Sequence, residues 1–344
     1  MSLFNISKNI FGLDIGDLSF KFVFLKKIGN QVKLKKYGEK IIPAGYFEGG
    51  EIKKEKEVVQ IIKNLIKEQH ISTPYVVAVL PETKTFIKTI AIPQKEKNNI
   101  EKIIEKEIES SIPIKIKDVY LDWKIINKHD DKINILVGLS IKSIIDSYVR
   151  VLKMAGLRPV SLEIESIAIL RSLIKKEECP TQSLAIIDLG ATRSSLIIVN
   201  QEIIQLTISL PHAGANLTQN IADELKISFE EAQKIKKNFQ KDQNNEVVAK
   251  NIKIFFNNLT LSLINHLKFY EENSGNKIEK IIVCGGGANL PGLISYFEEK
   301  LNIKTTKGNP WVNISEKKLP LPEDELTIYT TAIGLALKGL KEVF

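Results

Sequence analysis

The 344-residue chain contains few of the residues that build disulfide frameworks, metal centres or membrane spans. Its two cysteines, Cys179 and Cys284, lie far apart in sequence and indicate neither a disulfide scaffold nor a metal site. Its four histidines are dispersed, without the spacing of metal ligands. No apolar run is long enough to cross a bilayer, and residues 1–11 lack the apolar core of a signal peptide. We therefore expect a cytoplasmic globular protein.

Arginine is also scarce, since only four of the 49 basic residues are arginines. The net charge of +8 would otherwise suggest nucleic acid as a partner. Arginine is the preferred residue for bidentate contacts to bases and phosphates, and it is nearly missing. The lysines alternate with glutamates in the predicted helices, which is typical of a solvated face. The composition thus argues against a nucleic-acid partner, while a mildly basic surface suits an anionic membrane face.

Four sequence signatures of nucleotide and acyl chemistry are missing as well. The chain has no Gly-x-x-x-x-Gly-Lys-Ser/Thr phosphate loop and no Gly-x-Gly-x-x-Gly dinucleotide fingerprint. It also has no Gly-x-Ser-x-Gly nucleophile elbow and no reactive-cysteine signature. Any phosphate site in this chain must therefore be built from other motifs.

The most informative motif that is present is an Asp-x-Gly turn that occurs twice, about half a chain length apart. Residues 12–24 and 187–199 each lead from an apolar strand through this turn into a second apolar strand. A tight glycine turn exposes backbone N–H groups to phosphate oxygens, and glycine tolerates a positive φ there. Asp14 and Asp188, at the strand ends, can hold Mg²⁺ through water. Two such hairpins facing each other would clamp a nucleotide phosphate tail.

A glycine triplet forms the third motif. Residues 281–293 predict a buried strand, a turn containing Gly285, Gly286 and Gly287, and the start of a helix. Consecutive glycines let a flat ligand approach the backbone, and Pro291 suits the first turn of the following helix. Three glycines in a row are more than a simple strand-to-helix loop needs.

Periodicity along the chain predicts a duplicated α/β core with one insertion in each half. Helical spacing of apolar residues predicts helices that include 55–69, 96–110, 141–155, 246–273 and 326–340, whereas 302–325 is expected to be irregular. The predicted units are a first core domain (1–84, 161–181 and 326–344), an inserted β-α-β-β-α subdomain (85–160), a second core domain (182–213 and 276–325) and a helical insertion (214–275). Residues 179–182 are the best candidate linker between the halves, and a nucleotide is expected in the cleft between them.

These motifs, in this order, resemble the actin-like ATPases, the superfamily shared with hexokinase and Hsp70, over nearly the full length of the chain. The sequence is most similar to the PilM family of type IV pilus assembly, which is related to the FtsA family of cell division. The resemblance implies an actin-like (ribonuclease H-like) fold of two domains around a central nucleotide cleft. It also matches residues 162–171 and 331–337 to the family's connecting helices, whose small residues allow a close crossing and a hinge.

The resemblance further implies ATP or ADP with Mg²⁺ as the ligand. Asp14 and Asp188 would position the metal ion through water. The residues matched to the nucleotide are Asp14, Gly16, Ser19, Lys21, Asp188, Gly190, Thr192, Gly285, Gly286, Gly287 and Asn289. Glu165, or Glu163 as the second match, would orient the attacking water, although a carboxylate at a helix start is also favoured by the helix dipole alone. The expected hydrolysis is slow at most.

Asp17 departs from the family pattern, which usually has a small residue inside the first phosphate turn. A carboxylate beside a triphosphate is repulsive unless it points outward or toward a metal ion. This residue therefore speaks against tight ATP binding without affecting the expected fold.

By the same resemblance, the partner is the short cytoplasmic N-terminal tail of a PilN-like inner-membrane protein. The tail would lie as an extended peptide in a groove beside residues 85–160. The protein would then sit peripherally at the cytoplasmic face of the inner membrane, with other pilus-assembly proteins, in a pilus or a type II secretion machine. Self-association is an additional expectation of the resemblance.

Two other functions remain open from the sequence. An FtsA-like filament-forming membrane anchor would carry an amphipathic membrane helix after a linker, and this sequence stops at Phe344, directly after the second connecting helix. A small-molecule kinase of the same superfamily would need a catalytic acid in the cleft to deprotonate its acceptor hydroxyl. Only Glu163 and Glu165 could be matched to that role.

Overall fold

The computed structural model describes residues 9–111, 115–129, 131–175, 183–201, 203–239, 244–315 and 321–341. The predicted linker at 179–182, with Cys179, lies outside these residues. In the described part of the chain, no helix combines the length and the apolar character that crossing a membrane requires.

The first half is built on a five-stranded mixed sheet. Its strands are β1 (Phe11–Ile15), β2 (Ser19–Ile28), β3 (Gln31–Ile41), β6 (Tyr75–Leu80) and β10 (Arg158–Ile164). Between β3 and β6, the strands β4 (Phe47–Glu48) and β5 (Glu51–Ile52) form a separate hairpin. The strand order is β10-β6-β1-β2-β3, in which β1, β2 and β3 are antiparallel and β10, β6 and β1 are parallel. Helix α1 (Glu55–Glu68) joins β5 to β6 and buries its apolar face on this sheet, as its 3.6-residue periodicity predicts.

The second half repeats this arrangement. Its strands are β11 (Ser183–Leu189), β12 (Ser194–Asn200), β13 (Ile203–Leu210), β14 (Ile278–Cys284) and β15 (Lys304–Lys307), in the order β13-β12-β11-β14-β15. Again the first three strands are antiparallel, and the last two run parallel to β11 and to each other. The repeated strand order confirms the predicted duplication of the α/β core. The expectation of irregular structure over 302–325 is wrong, because β15 lies there and pairs with β14.

The first insertion contributes a three-stranded antiparallel sheet of order β7-β9-β8. Its elements are β7 (Thr85–Pro93), α2 (Ile100–Ser111), β8 (Val119–His129), β9 (Lys132–Ile141) and α3 (Lys142–Met154). Helix α2 covers one face of this sheet, so the insertion has a core of its own. Helix α3 instead packs into the core of the first half, where the buried Tyr148 hydroxyl donates a 2.8 Å hydrogen bond to the Gly50 carbonyl.

The second insertion is helical, with α5 (Gly214–Leu225), α6 (Phe229–Phe239) and α7 (Glu246–Ser274). The long helix α7 begins at the Asn245 cap, whose side chain accepts a hydrogen bond from the Val248 amide, and it ends at Gly275 with φ +70°. Helix α8 (Leu293–Leu301) then connects β14 to β15.

Two helices, α4 (Glu165–Leu173) and α10 (Thr330–Lys341), cross between the halves. A Cβ atom at Gly334 would overlap the Ala168 carbonyl oxygen, so the crossing is backbone against backbone. A Cβ atom at Gly12 would lie 2.5 Å from the Ala332 carbonyl oxygen. The close crossing predicted from small residues is confirmed. The last helix is shorter than predicted, because the short helix α9 (Glu323–Leu326) and a 3-10 turn precede it.

Candidate functional site

The two Asp-x-Gly hairpins meet through hydrogen bonds between their tips. Asp17, in the β1–β2 turn, accepts a 3.1 Å hydrogen bond from the Thr192 hydroxyl of the β11–β12 turn. The other carboxylate oxygen of Asp17 lies 3.2 Å from Nη1 of Arg193. Both aspartates of the motif lie at the ends of central strands, where Asp14 pairs in register with Lys21 and Asp188 with Ser195. The topology therefore brings the two halves of the predicted clamp together.

The turn glycines are explained by close backbone contacts across each turn. Neither Gly16 nor Gly190 has a positive φ. A Cβ atom at Gly16 would lie 2.9 Å from the Ser19 carbonyl oxygen, and one at Gly190 would overlap the Arg193 carbonyl oxygen. Glycine is therefore required because the backbone closes tightly on itself across each turn, and its tolerance of a positive φ is not used.

Carboxylates from both halves gather behind these turns. Burial raises the pKa of Asp14. Burial, together with the charge of Asp14, raises the pKa of Asp188. The pKa of Glu165, at the start of α4, is raised by burial and then by Asp188. Burial is the first cause of all three shifts, and neighbouring acids add to it at Asp188 and Glu165, so carboxyl groups of both halves share one acidic site.

Two basic side chains offset part of this negative charge. Lys21 donates a 2.7 Å hydrogen bond to the Ser19 hydroxyl and lies 3.6 Å from Glu39. Lys21 and Arg193 both lower the pKa of Asp14, against the effect of burial. The site therefore combines acids suited to a cation with basic and hydroxyl groups suited to phosphate oxygens.

The acids do not form a direct metal cage. Among the described residues, no three histidine, cysteine, aspartate or glutamate side chains are grouped to ligate one metal ion. Mg²⁺ commonly keeps several waters and takes only one or two protein carboxylates. Asp14 and Asp188, near the ends of β1 and β11, fit that kind of water-mediated site.

The glycine triplet packs directly against the second hairpin. Gly285 has φ +78°, and a Cβ atom there would lie 2.5 Å from the Asp188 carboxylate. A Cβ atom at Gly287 would lie 2.6 Å from the Leu189 Cβ. Gly286 is exposed, and the nearest atom to a Cβ placed on it would be Cγ2 of Ile328, 3.8 Å away. Gly285 and Gly287 are therefore explained by packing against β11, and Gly286 is the glycine whose backbone is open to a ligand.

The neighbours of the triplet are also tied to the site. Asn289 donates to the Thr327 hydroxyl at 3.5 Å. Cys284 is buried, as expected for a small apolar residue, and its thiol lies 3.5 Å from Asp188. Pro291 does not start the next helix as predicted, because α8 begins at Leu293 after a turn.

The two candidate catalytic glutamates have different surroundings. Glu163 is only 8% exposed and forms a bidentate ion pair with Arg171, with one N–O distance of 2.6 Å. Arg171 also donates to the Gly334 carbonyl oxygen at 3.0 Å, so this pair ties α4 to α10. Glu165 instead lies near Asp188 and remains partly accessible. This geometry favours Glu165 over Glu163 for a role toward water.

Three residues of the site region were missed from sequence. Arg193 lies in the second turn, and its rarity as one of four arginines was the available signal. Glu82 accepts a hydrogen bond from the Ser166 amide at the start of α4, and nothing in its sequence context indicates this. Lys236 on α6 donates to the Gly214 carbonyl oxygen at 2.8 Å, next to the second hairpin.

A comparison with protein families shows which family the chain belongs to. Residues 12–340 match the family described as type IV pilus assembly protein PilM. The chain belongs to the PilM family. The match begins at Gly12, so it includes both Asp-x-Gly hairpins and the glycine triplet.

Solved structures agree with the actin-like fold that the sequence predicts. A PilM-PilN type IV pilus biogenesis complex is 24% identical over 97% of this chain and 99% of that chain, with a TM-score of 0.85. The ethanolamine utilization protein EutJ from Carboxydothermus hydrogenoformans is 16% identical over 95% of this chain and 88% of its own, with a TM-score of 0.60. MreB5 of Spiroplasma citri bound to ADP is 14% identical over 96% of both chains, with a TM-score of 0.58.

Proposed function

We propose that this PilM family member is a nucleotide-binding actin-like scaffold of type IV pilus assembly, or of a related type II secretion machine. It would bind ATP or ADP with Mg²⁺ between its two hairpins. At a separate site, beside its first insertion, it would bind the cytoplasmic tail of a PilN-like membrane protein. The observation that carries the nucleotide part is the cluster of acids gathered where the two Asp-x-Gly hairpins meet. Such a cluster is stabilised by a cation, and the surrounding donors suit phosphate.

Each group at the site has a defined role in this proposal. Asp14 and Asp188 would hold the waters of a bound Mg²⁺, which would supply charge neutralisation for the phosphates. Ser19, Lys21 and Thr192 would donate hydrogen bonds to phosphate oxygens, together with the turn amides of Gly16 and Gly190. Gly286 would lie against the base and ribose, with Gly285, Gly287 and Asn289 shaping the wall behind it.

Glu165 would accept a hydrogen bond from a water molecule beside the terminal phosphate. Its partial accessibility and its place at the start of α4, near Asp188, support this role. The expected activity is a slow ATPase at most.

The partner part of the proposal is supported by the similar PilM-PilN complex. We favour the β8 side of the inserted sheet for the tail, because β7, at the other edge, already contacts the second half. There the Thr89 hydroxyl donates a 2.9 Å hydrogen bond to the Ile204 carbonyl oxygen of β13. An extended peptide commonly adds to an open sheet edge, where main-chain hydrogen bonds supply affinity. Binding of this tail would hold the protein at the inner membrane.

The test is a binding titration of a fluorescent synthetic tail from a candidate PilN-like protein, with and without ATP and Mg²⁺. The wild-type protein should bind the tail, and Asp188→Ala should lose Mg²⁺-dependent nucleotide binding while remaining folded. Asp223→Ala, at an exposed position on α5, serves as the charge-matched control. Unchanged nucleotide affinity in Asp188→Ala would contradict the clamp. Nucleotide binding without any tail binding would favour the filament or kinase alternatives, which sedimentation and substrate screens would separate.

A further inference from the structure

Asp17 joins the two halves of the protein at the hairpin tips. Its carboxylate is only 8% exposed, and each of its oxygens accepts a hydrogen bond from the second half. One donor is the Thr192 hydroxyl and the other is the Arg193 guanidinium. Asp17, whose presence in the sequence argues against tight nucleotide binding, thus has two hydrogen-bond partners across the junction.

The two donors are those that a phosphate group would use. A guanidinium and a hydroxyl side by side on a glycine turn suit an anionic oxygen, and the planar fork of arginine can bind two oxygens of a carboxylate or a phosphate. Asp17 presents two oxygens to these donors from the opposite hairpin. Its carboxylate therefore occupies the hydrogen bonds that a phosphate between the hairpins would require.

Arg193 reaches from the second half into the acidic pocket of the first half. Its side chain is 16% exposed, and Asp17, Asp14 and Glu165 all raise its pKa against the opposing effect of burial. The guanidinium also lies against the backbone of Gly50, where a Cβ atom would be 2.9 Å from Nη1. The position of this arginine is thus fixed by the first half, although its backbone belongs to the second.

We propose that Asp17, Thr192 and Arg193 form a clasp between the halves, and that a nucleotide phosphate replaces Asp17 as the hydrogen-bond acceptor of Thr192 and Arg193. The inference rests on the proposed nucleotide binding and adds to it a phosphate-binding residue, Arg193, and an internal competitor, Asp17. The clasp holds the hairpins together before a nucleotide binds. It also weakens nucleotide affinity, because the Asp17 hydrogen bonds must break first.

Nucleotide affinity tests the exchange of partners. Dissociation constants for ATP and ADP with Mg²⁺ are measured by competition with a fluorescent nucleotide for wild type, Asp17→Asn, Arg193→Gln and the double variant. We expect Asp17→Asn to bind about 5- to 10-fold tighter and Arg193→Gln at least 10-fold weaker. In the Arg193→Gln background, Asp17→Asn should give little gain, because the competition acts through the arginine. Glu48→Gln, which removes an exposed charge near Gly50, should change nothing.

Hydrogen exchange of the nucleotide-free protein provides a readout that needs no ligand. Asp17→Asn should speed exchange of the amides in the β11–β12 turn relative to wild type and Glu48→Gln, since the clasp no longer holds the turn. Equal dissociation constants and equal exchange in wild type and Asp17→Asn would overturn the clasp while leaving nucleotide binding intact. If neither the wild type nor any variant binds ATP or ADP, the proposed nucleotide binding is wrong and the exchange of partners fails with it.

Discussion

Glu163 and Glu165 are two residues apart, yet their carboxylates belong to different interactions. Removal of the Glu163 side chain leaves Arg171 without its partner at the crossing of α4 and α10. We expect Glu163→Ala to lower the free energy of unfolding by about 3 kcal/mol, the usual cost of breaking a buried ion pair. Glu165→Gln relieves the repulsion with Asp188 and should leave the stability equal or higher. Urea unfolding of both variants measures this, and the reverse order would contradict these roles.

Lys236 offers a prediction of pH dependence at the same scale. Its pKa is lowered to about 8, chiefly by burial and then by the charge of Lys237. Because the folded-state pKa lies below the ordinary value of 10.5, protonated Lys236 costs stability below pH 8. That cost is relieved as the pH rises from 8 toward 10.5, so stability gains over this range. Between pH 8 and 10, the free energy of unfolding of wild type should therefore rise by on the order of 1–3 kcal/mol relative to that of Lys236→Met.

Urea unfolding at several pH values measures this change for Lys236→Met. Lys234→Met, at an exposed position of the same helix, is the control and should show no comparable trend. A constant difference between Lys236→Met and wild type over this pH range would show that burial does not disfavour the charged amine.

The residues that the sequence could identify are those whose chemistry is local. Asp14 and Asp188 follow from strand ends beside glycine turns, so a motif is enough to find them. The partners of Asp17 could not be found in this way, because 175 and 176 positions separate it from Thr192 and Arg193. Only the duplicated topology brings these turns together. The same limit applies to Glu163, whose ion pair depends on a helix crossing.

At the scale of elements, the crossing of α4 and α10 depends on a missing side chain. Gly334→Ala would place a methyl group on the Ala168 carbonyl oxygen, and neither backbone can yield without moving a whole helix. We expect a loss of about 3 kcal/mol in the free energy of unfolding, despite the higher helix propensity of alanine.

Gly339→Ala, in the same helix, is the matched control. Its Cβ atom would meet the Ile10 side chain at 2.9 Å, which can adjust more easily than backbone. The loss should therefore be clearly smaller, since both variants gain the same helix propensity. Equal thermal midpoints for the two variants would show that the crossing tolerates separation.

Elements with a strong hydrophobic period were predictable, and short edge elements were not. Helix α1 was predicted at 55–69 and is observed at Glu55–Glu68, because its apolar positions recur at helical spacing. Strand β15 has four residues, of which only Thr305 is buried, so its sequence carries no strand signal. It exists because β14 offers a parallel edge to pair with. Tertiary pairing of this kind is invisible to a local pattern.

At the scale of the whole molecule, the first insertion can be removed from the core because the pairing of its strands brings its two ends together. Thr85 and Ser140 are paired across β7 and β9, so the chain leaves and re-enters the first half at neighbouring points. The inserted sheet also has its own core beneath α2, whereas α3 packs on the first half. Residues 85–141 can therefore be replaced by a short Gly-Ser linker with α3 retained. Part of the contact with β13 is lost, so we expect lower stability in a protein that still folds.

This excised protein separates the two proposed functions. It should bind ATP with Mg²⁺ about as well as the full chain, because both hairpins and the glycine triplet are untouched. It should bind the fluorescent PilN-like tail at least 100-fold more weakly, because the proposed groove beside the insertion is gone. Retained nucleotide binding excludes misfolding as the cause of a lost tail interaction. Unchanged tail affinity would move the partner site away from the insertion and onto the core shared with the other actin-like folds.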